Sequence, residues 1–337
     1  MRLADFDYDL PPAAIAQHPI EPRDAARLLV DRGAGEPPDH RHVRDLPELL
    51  EPGDLVVVND SRVIPARLLL HRHSGGAVEI LLLEALDADH RRWECLVRPA
   101  RRLARGEELV DDEGRAVLVM GSRTEAGDTF TVELCAADPL AAIRATGHVP
   151  LPPYITAPLD DPDRYQTVYA RQLGSAAAPT AGLHLTNRVL DALAARSIGL
   201  ARLELVVGLD TFQPVSEDDP TRHRIHSERY AVPPETLEAC QSAKRVVAVG
   251  TTVARALETA AATEQASGRT RLFIHRPYEW RMVDLLMTNF HLPRTTLLLM
   301  IDAFIGARWR QLYASALDEG YRFLSFGDTM LLRRTAP

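Results

Sequence analysis

Apolar and polar positions divide the chain into stretches of different period. Residues 55–60 (LVVVND) follow the turn residues 51–54 (EPGD) as a continuous, largely β-branched run, the pattern of a buried strand. The pattern returns at 203–207 and 245–250, and residues 186–196, 234–243, 252–262 and 296–317 read as helices. Strands alternating with helices predict an α/β core with a largely parallel sheet. Residues 67–146 read differently. Short apolar runs at 78–85, 92–97, 107–110, 115–120 and 130–135 are separated by Gly and Asp turns, the spacing of a small barrel or sandwich, with a helix expected only at 139–146. Residues 150–153 (PLPP) form a stiff connector that cannot continue a helix. The pattern therefore predicts a discontinuous α/β domain, residues 1–66 and 151–337, interrupted by an all-β domain over 67–150.

Composition narrows the class. With 46% hydrophobic and 26% charged residues among 337, the chain has the balance of a folded soluble protein. No apolar stretch approaches the roughly 20 residues of a membrane helix; the best, 295–301, is ended by Asp302. The first residues carry Asp5 and Asp7 and no apolar core, so no signal peptide is expected. Cys95, Cys135 and Cys240 lie far apart without CxxC spacing, which argues against a disulfide scaffold or zinc site and for a reducing cytoplasm. The formal charge of −8 means that any nucleic-acid contact needs a local basic patch. One exists: Arg91, Arg92, Arg98, Arg101, Arg102 and Arg105 face the single acid Glu94, although five acids follow between Glu107 and Glu113 and a self-neutralising hairpin is the other reading.

Several polar segments carry candidate chemistry. Asn59, Asp60 and Arg62 follow the strand ending at Val58, where ligands of α/β sheets bind, although a simple turn would also explain them. The side-chain-poor run 178–183 precedes His184, placed to titrate near neutral pH. At Gly250, Thr251 and Thr252 a strand enters a helix carrying Arg255 and Glu258, and a helix N-terminus offers N–H groups and a positive dipole to an anion. There is no Walker loop, GxGxxG or HExxH, so no metal site is expected, and Glu228 and His291 read as acid–base groups. Residues 322–328 are expected to form a C-terminal strand turning into a polar loop.

Taken together, 59–68 (NDSRVIPARL), 147–155 (GHVPLPPYI), 165–170 (YQTVYA), 178–184 (APTAGLH), 211–215 (TFQPV), 226–228 (HSE), 248–258, 287–293 (MTNFHLP) and 321–330 resemble, in order, the S-adenosylmethionine:tRNA ribosyltransferase-isomerase family of queuosine biosynthesis. The resemblance spans the whole chain and implies a discontinuous α/β domain with a mixed, largely parallel sheet and an inserted small β-barrel. It implies transfer and rearrangement of the ribosyl group of S-adenosylmethionine onto the aminomethyl group of a 7-deazaguanine at the tRNA wobble position, giving epoxyqueuosine-tRNA, adenine and methionine. S-adenosylmethionine is then a consumed substrate, and no metal or redox cofactor is expected. The expected partners are S-adenosylmethionine and a tRNA anticodon loop, with no membrane, and the chain is expected to be monomeric.

Such chemistry needs proton transfers, for which His184, His226, Glu228, His291 and Asp60 are the candidates. Asn59, Arg62, Thr180, Gly182, Thr211, Phe212, Gly250, Thr251, Thr252, Arg255, Asn289, Gly327 and Asp328 are the candidates for holding substrate, and Arg98, Arg101, Arg102 and Arg105 for holding tRNA. Phe212, Tyr230, Tyr278 or Trp280 could stack on a flipped base, with core packing the other reading for each one singly. The chain departs from the family pattern at Leu185, Val206, Asp210, Val253, Ala254 and residues 275–277. Two other readings stand beside this one: the same donor chemistry on a small-molecule acceptor, and a tRNA-binding relative without catalysis.

Overall fold

The computed structural model describes residues 1–124, 127, 129–208, 217–223, 225 and 227–335, and of Arg102 only the backbone. They divide into two compact units, Met1–Asp60 with Pro152–Arg171 and Pro179–Pro337, and Ser61–Leu151 with Gln172–Ala178. The chain opens with β1 (Arg27–Val30), β2 (Asp39–His42), α1 (Leu46–Leu49), β3 (Leu55–Asn59) and β4 (Ser61–Val63). Next come β5 (Arg67–Arg72), β6 (Ala77–Ala85), β7 (Arg92–Arg98), β8 (Glu108–Val110), β9 (Ala116–Arg123), β10 (Phe130–Leu134), α2 (Pro139–Thr146), β11 (Gly147–His148) and β12 (Gln172–Ser175). There follow α3 (Asn187–Ala195), β13 (Gly199–Leu205), β14 (Glu228–Ala231), α4 (Pro234–Ser242), β15 (Val246–Val249), α5 (Thr251–Thr263) and β16 (Ser267–Thr270). The chain closes with β17 (Leu285–Asn289), α6 (Thr296–Ile305), α7 (Trp309–Asp318) and β18 (Thr329–Arg333).

The first unit is built on one sheet, β16-β14-β13-β3-β15-β17-β18-β1-β2. Its centre, β13, β3, β15 and β17, is parallel, and β14 and β18 add antiparallel neighbours on either side. Strands β3, β15 and β17 are buried at every position, as strands covered on both faces must be. Val56, Val58, Val247, Val249 and Met287 pack with Val189 and Leu193 of α3, while α5 packs on β13, β15 and β3.

Two expectations are corrected here. The single helix expected over 296–317 is α6 and α7, separated at Gly306, whose φ of 65° is open to glycine without strain. Residues 322–328 are a tight turn rather than a strand: Gly327 donates to the Leu324 carbonyl, Asp328 to that of Arg322, and the strand, β18, begins only at Thr329. A Cβ on Gly327 would lie 2.4 Å from the Phe323 carbonyl carbon, a distance no side chain tolerates.

In the second unit β5-β6-β7-β10-β9-β8 form an antiparallel ring that β8 closes by pairing with β5, and β11 adds to β5. Closure leaves the ring no free edge, which decides between barrel and sandwich. Alternation fills it: Trp93, Cys95 and Val97 of β7, Leu68 and Leu70 of β5, and Val132 and Leu134 of β10 are buried. Gln172–Ala178 belongs to this unit because β12 pairs with β4. Among the described residues no helix is long and apolar enough to cross a membrane.

Helix α5 is the most enclosed helix, buried from Thr251 through Ala260. Its Glu258 carboxylate, fully buried, accepts the backbone N–H groups of Arg281 (2.9 Å), Met282 (2.9 Å) and Val283 (3.0 Å) and the Tyr278 hydroxyl (3.3 Å). A buried carboxylate with four donors is satisfied, whereas the amide of Glu258→Gln turns an N–H₂ toward some of those donors. That variant is expected to lose roughly 2–4 kcal/mol of unfolding free energy in urea titration; an unchanged midpoint would remove Glu258 from the scaffold.

Candidate functional site

The parallel strands β13, β3, β15 and β17 run in one direction, so the chain leaves each of them at the same edge of the sheet. Ligands of α/β sheets bind beyond that edge. Asp60 directly follows β3, Gly250 directly follows β15, Asn289 ends β17, and Gly208 lies shortly after β13.

The polar atoms of some predicted ligand residues are committed to the scaffold. Asn59 is fully buried; its amide donates to the Leu205 carbonyl at 2.9 Å and accepts the Leu205 N–H at 3.2 Å, extending the β3–β13 ladder. The Asp328 carboxylate accepts the Arg27 and Arg322 N–H groups, each at 2.8 Å, and ties the turn before β18 to β1. Within the fold, hydrogen bonding or steric closeness already engages each of Asn59, Gly327 and Asp328.

At the first residue of β14, Glu228 places one carboxylate oxygen 2.6 Å from Arg255 Nη2 of α5 and accepts the Gly208 N–H on the other at 2.8 Å. Both side chains are buried. Gly250, the N-cap of α5 at φ 95°, supplies no side-chain cap. The first-turn N–H groups of a helix are unsatisfied unless something caps them, and they carry the positive end of its dipole. Beside them the Thr252 hydroxyl and Arg255 Nε are buried and have no hydrogen-bond partner among the described residues. Unpaired donors of this kind are costly unless a ligand meets them.

Asp60 is 7% exposed, and no other described residue donates a hydrogen bond to its carboxylate. Burial raises its pKa, opposed by Arg202 and Arg171 and reinforced by Glu204. It therefore holds a proton more readily than an ordinary carboxylate, a property common to acid–base groups.

Residues 180–184 form a 3₁₀ turn beside β17. The Thr180 hydroxyl donates to Asn289 Oδ1 at 2.9 Å, and Asn289 Nδ2 donates to the Leu324 carbonyl at 3.2 Å and faces His184 Nε2 at 3.4 Å. His184 therefore presents a lone pair on Nε2 and carries its proton on Nδ1. Gly182 must be glycine, since a Cβ there would lie 2.0 Å from the Tyr169 hydroxyl. Tyr169 and its neighbour Thr167 present buried hydroxyls without a partner among the described residues. They went unnoticed as site residues in the sequence; three hydroxyl-bearing side chains within 165–170 were the available signal.

The chain matches the model of the queuosine biosynthesis protein family over residues 3–332. It belongs to that family. It is 48% identical to the S-adenosylmethionine:tRNA ribosyltransferase-isomerase of Symbiobacterium thermophilum, covering 98% of this chain and 100% of that one. Identity to the protein of the same name from Thermotoga maritima is 46%, over 98% and 100% of the two chains. A crystal structure of the S-adenosylmethionine tRNA ribosyltransferase from Thermotoga maritima superposes with a TM-score of 0.55 at 38% identity, over 97% of this chain and 99% of that one.

Thr211, Phe212 and His226 fall outside the described residues. Arg62 is an exposed residue of β4 in the second unit. Arg98, Arg101 and Arg105 are exposed in that unit and make no ion pair among the described residues. The acids expected to neutralise them are engaged elsewhere: Glu107 with Arg72, Asp111 and Glu113 with Arg115, Asp112 with His71 and Glu108 with His73. The expected base-stacking aromatics are tied into the fold, with the Tyr230 hydroxyl on the Gln265 carbonyl, that of Tyr278 on Glu258 and the Trp280 indole on the Ala303 carbonyl.

His184 does not titrate near neutrality as expected. Burial, aided by the Arg322, Arg23 and Arg164 cations and opposed by a hydrogen bond to the Arg23 main chain, lowers it from 6.5 to about 4. Burial lowers His291 to about 3, and its Nε2 lies 3.1 Å from the Thr288 hydroxyl. Because folding depresses both values, the unfolded chain binds more protons once pH falls below 6.5; the stabilisation is complete above that pH and is lost toward 4. Between pH 6.5 and 5 the unfolding free energy should fall by about 1.4 kcal/mol per pH unit for each histidine, and His184→Gln should remove about half of that slope. Equal slopes for the two proteins would contradict the buried, neutral His184.

Proposed function

We propose that the protein transfers and isomerises the ribosyl group of S-adenosylmethionine onto 7-aminomethyl-7-deazaguanine at the wobble position of a tRNA, the queuosine-pathway reaction that releases adenine and methionine. The observation that carries this reading is the family match over almost the whole chain, joined to an uncapped, cation-bearing helix N-terminus at the strand-end edge. S-adenosylmethionine is the consumed sugar donor, and the reaction calls for no further cofactor. The protein works as a monomer in the cytoplasm.

The residues divide the chemistry in a physically simple way. The methionine carboxylate sits at the start of α5, against the first-turn N–H groups, the Thr252 hydroxyl and Arg255. Glu228, held by Arg255 and the Gly208 N–H, supplies fixed negative charge for the sulfonium and its ribose. The sulfonium acidifies the adjacent C–H, and Asp60, whose pKa is raised by burial, exchanges protons during sugar transfer and adenine departure. His184 and Asn289 fix the turn of Thr180 and Gly182 by hydrogen bonding rather than by titrating. In the second unit, Arg98, Arg101, Arg102 and Arg105 meet tRNA phosphates, contacts that position without reading sequence.

Adenine release followed by chromatography tests the acceptor. The wild type should release adenine and methionine with tRNA carrying the aminomethyl-deazaguanine, and far less with unmodified tRNA, whose wobble guanine lacks the nucleophilic amine. Asp60→Asn should lower turnover by about 10²–10⁴-fold. Equal release with and without modified tRNA would favour a small acceptor, and no release under any condition would favour a non-catalytic relative.

A further inference from the structure

Beyond β16 the chain runs without regular structure from Arg271 to His275, and it is fixed at both ends. The Thr270 hydroxyl accepts the Leu272 N–H at 3.1 Å and lies 2.7 Å from the Thr259 hydroxyl of α5, while residues 281–283 hang on Glu258. Ile274 is buried at 1% exposure, yet Phe273 and His275 on either side of it stay half-exposed. Their rings touch, with centroids 4.9 Å apart at 74°, and His223 closes on Phe273 from another loop at 6.2 Å and 73°. Both contacts are edge to face, so no two of these rings are stacked on one another in either pair.

The flanks of this aromatic row are cationic. Arg271 is exposed and makes no ion pair among the described residues, and Arg222 is exposed with only a 4.0 Å contact to Asp219. The His275 Nδ1 donates to the Arg276 carbonyl at 3.0 Å, which fixes the orientation of its ring. The row also starts beside the site, because Thr270 is the cross-strand partner of Glu228.

Partly exposed rings flanked by arginines match what unpaired bases require: aromatic rings to stack on and cations for the phosphates between them. A duplex keeps its base faces buried and cannot use such a row. We infer that His223, Phe273 and His275, with Arg271, form a stacking platform for the unpaired bases of an RNA loop entering the site beside Glu228. This rests on the tRNA reading above and gives it a surface within the first unit.

Filter binding of the full-length protein to unmodified tRNA at several salt concentrations, with steady-state kinetics on modified tRNA, tests the platform. Phe273→Leu keeps apolar packing and removes the π-face. It should weaken tRNA binding about 10- to 100-fold and raise KM for tRNA alike, leaving KM for S-adenosylmethionine and the salt dependence unchanged. Phe273→Tyr, which keeps the ring, should bind as the wild type does. Arg271→Ala, an exposed change that leaves packing intact, should flatten the log–log salt slope by about 0.7–0.9. If Arg271→Ala leaves that slope unchanged, or Phe273→Leu melts as the wild type and binds tRNA normally, the platform is overturned while the ribosyl-transfer reading stands. A wild type that binds no tRNA overturns both.

Discussion

Helix α5 is buried along ten consecutive residues, so every charged or hydroxyl group it carries must find a partner inside the protein. Those partners organise the first unit. Glu258 gathers the backbone of 281–283, Thr259 meets Thr270 at the end of β16, and Arg255 meets Glu228 at the start of β14. Among the described residues the unmatched side-chain donors of α5 lie near its start, at the Thr252 hydroxyl and Arg255, beside an N-terminus without a side-chain cap. Buried donors gathered at a helix N-terminus suit an anionic ligand.

The sheet explains why that end is useful. β13, β3, β15 and β17 are parallel, so Gly208, Asp60, Gly250 and Asn289 all emerge at one edge. Glycine recurs there for reasons of space rather than flexibility alone: Gly182 leaves room for the Tyr169 hydroxyl, and Gly250 takes a φ that side chains avoid. The second unit obeys a different constraint, a closed ring with no edge to protect, and its surface carries Arg101 and Arg105, which make no ion pair among the described residues.

Much of this was legible in the sequence where a pattern has a physical period. The buried run at β3, the helices α3, α4 and α5 and the short strands of the ring follow from spacing alone. Burial at a distance was not legible. His184 sits in a polar-looking segment, but its environment is set by Arg23, Arg164 and Arg322, which are remote in the chain. Asn59 and Asp328 occupy segments shared with the family, yet their oxygens answer backbone N–H groups on other strands. The reverse also holds: Tyr169 stands in a segment quoted only for its resemblance, and the structure shows its hydroxyl buried without a partner among the described residues. A sequence shows which groups are polar; the fold decides which of them are already spent.

The proposed role for the start of α5 is to receive the carboxylate of S-adenosylmethionine. A crystal structure of the protein soaked with S-adenosylmethionine tests it most directly. The methionine carboxylate is expected within hydrogen-bond distance of the Thr251 or Thr252 N–H, the Thr252 hydroxyl and Arg255, with the ribose toward Asp60 and Glu228. S-adenosylmethionine bound with its carboxylate elsewhere, and the α5 N-terminus left to water, would contradict it.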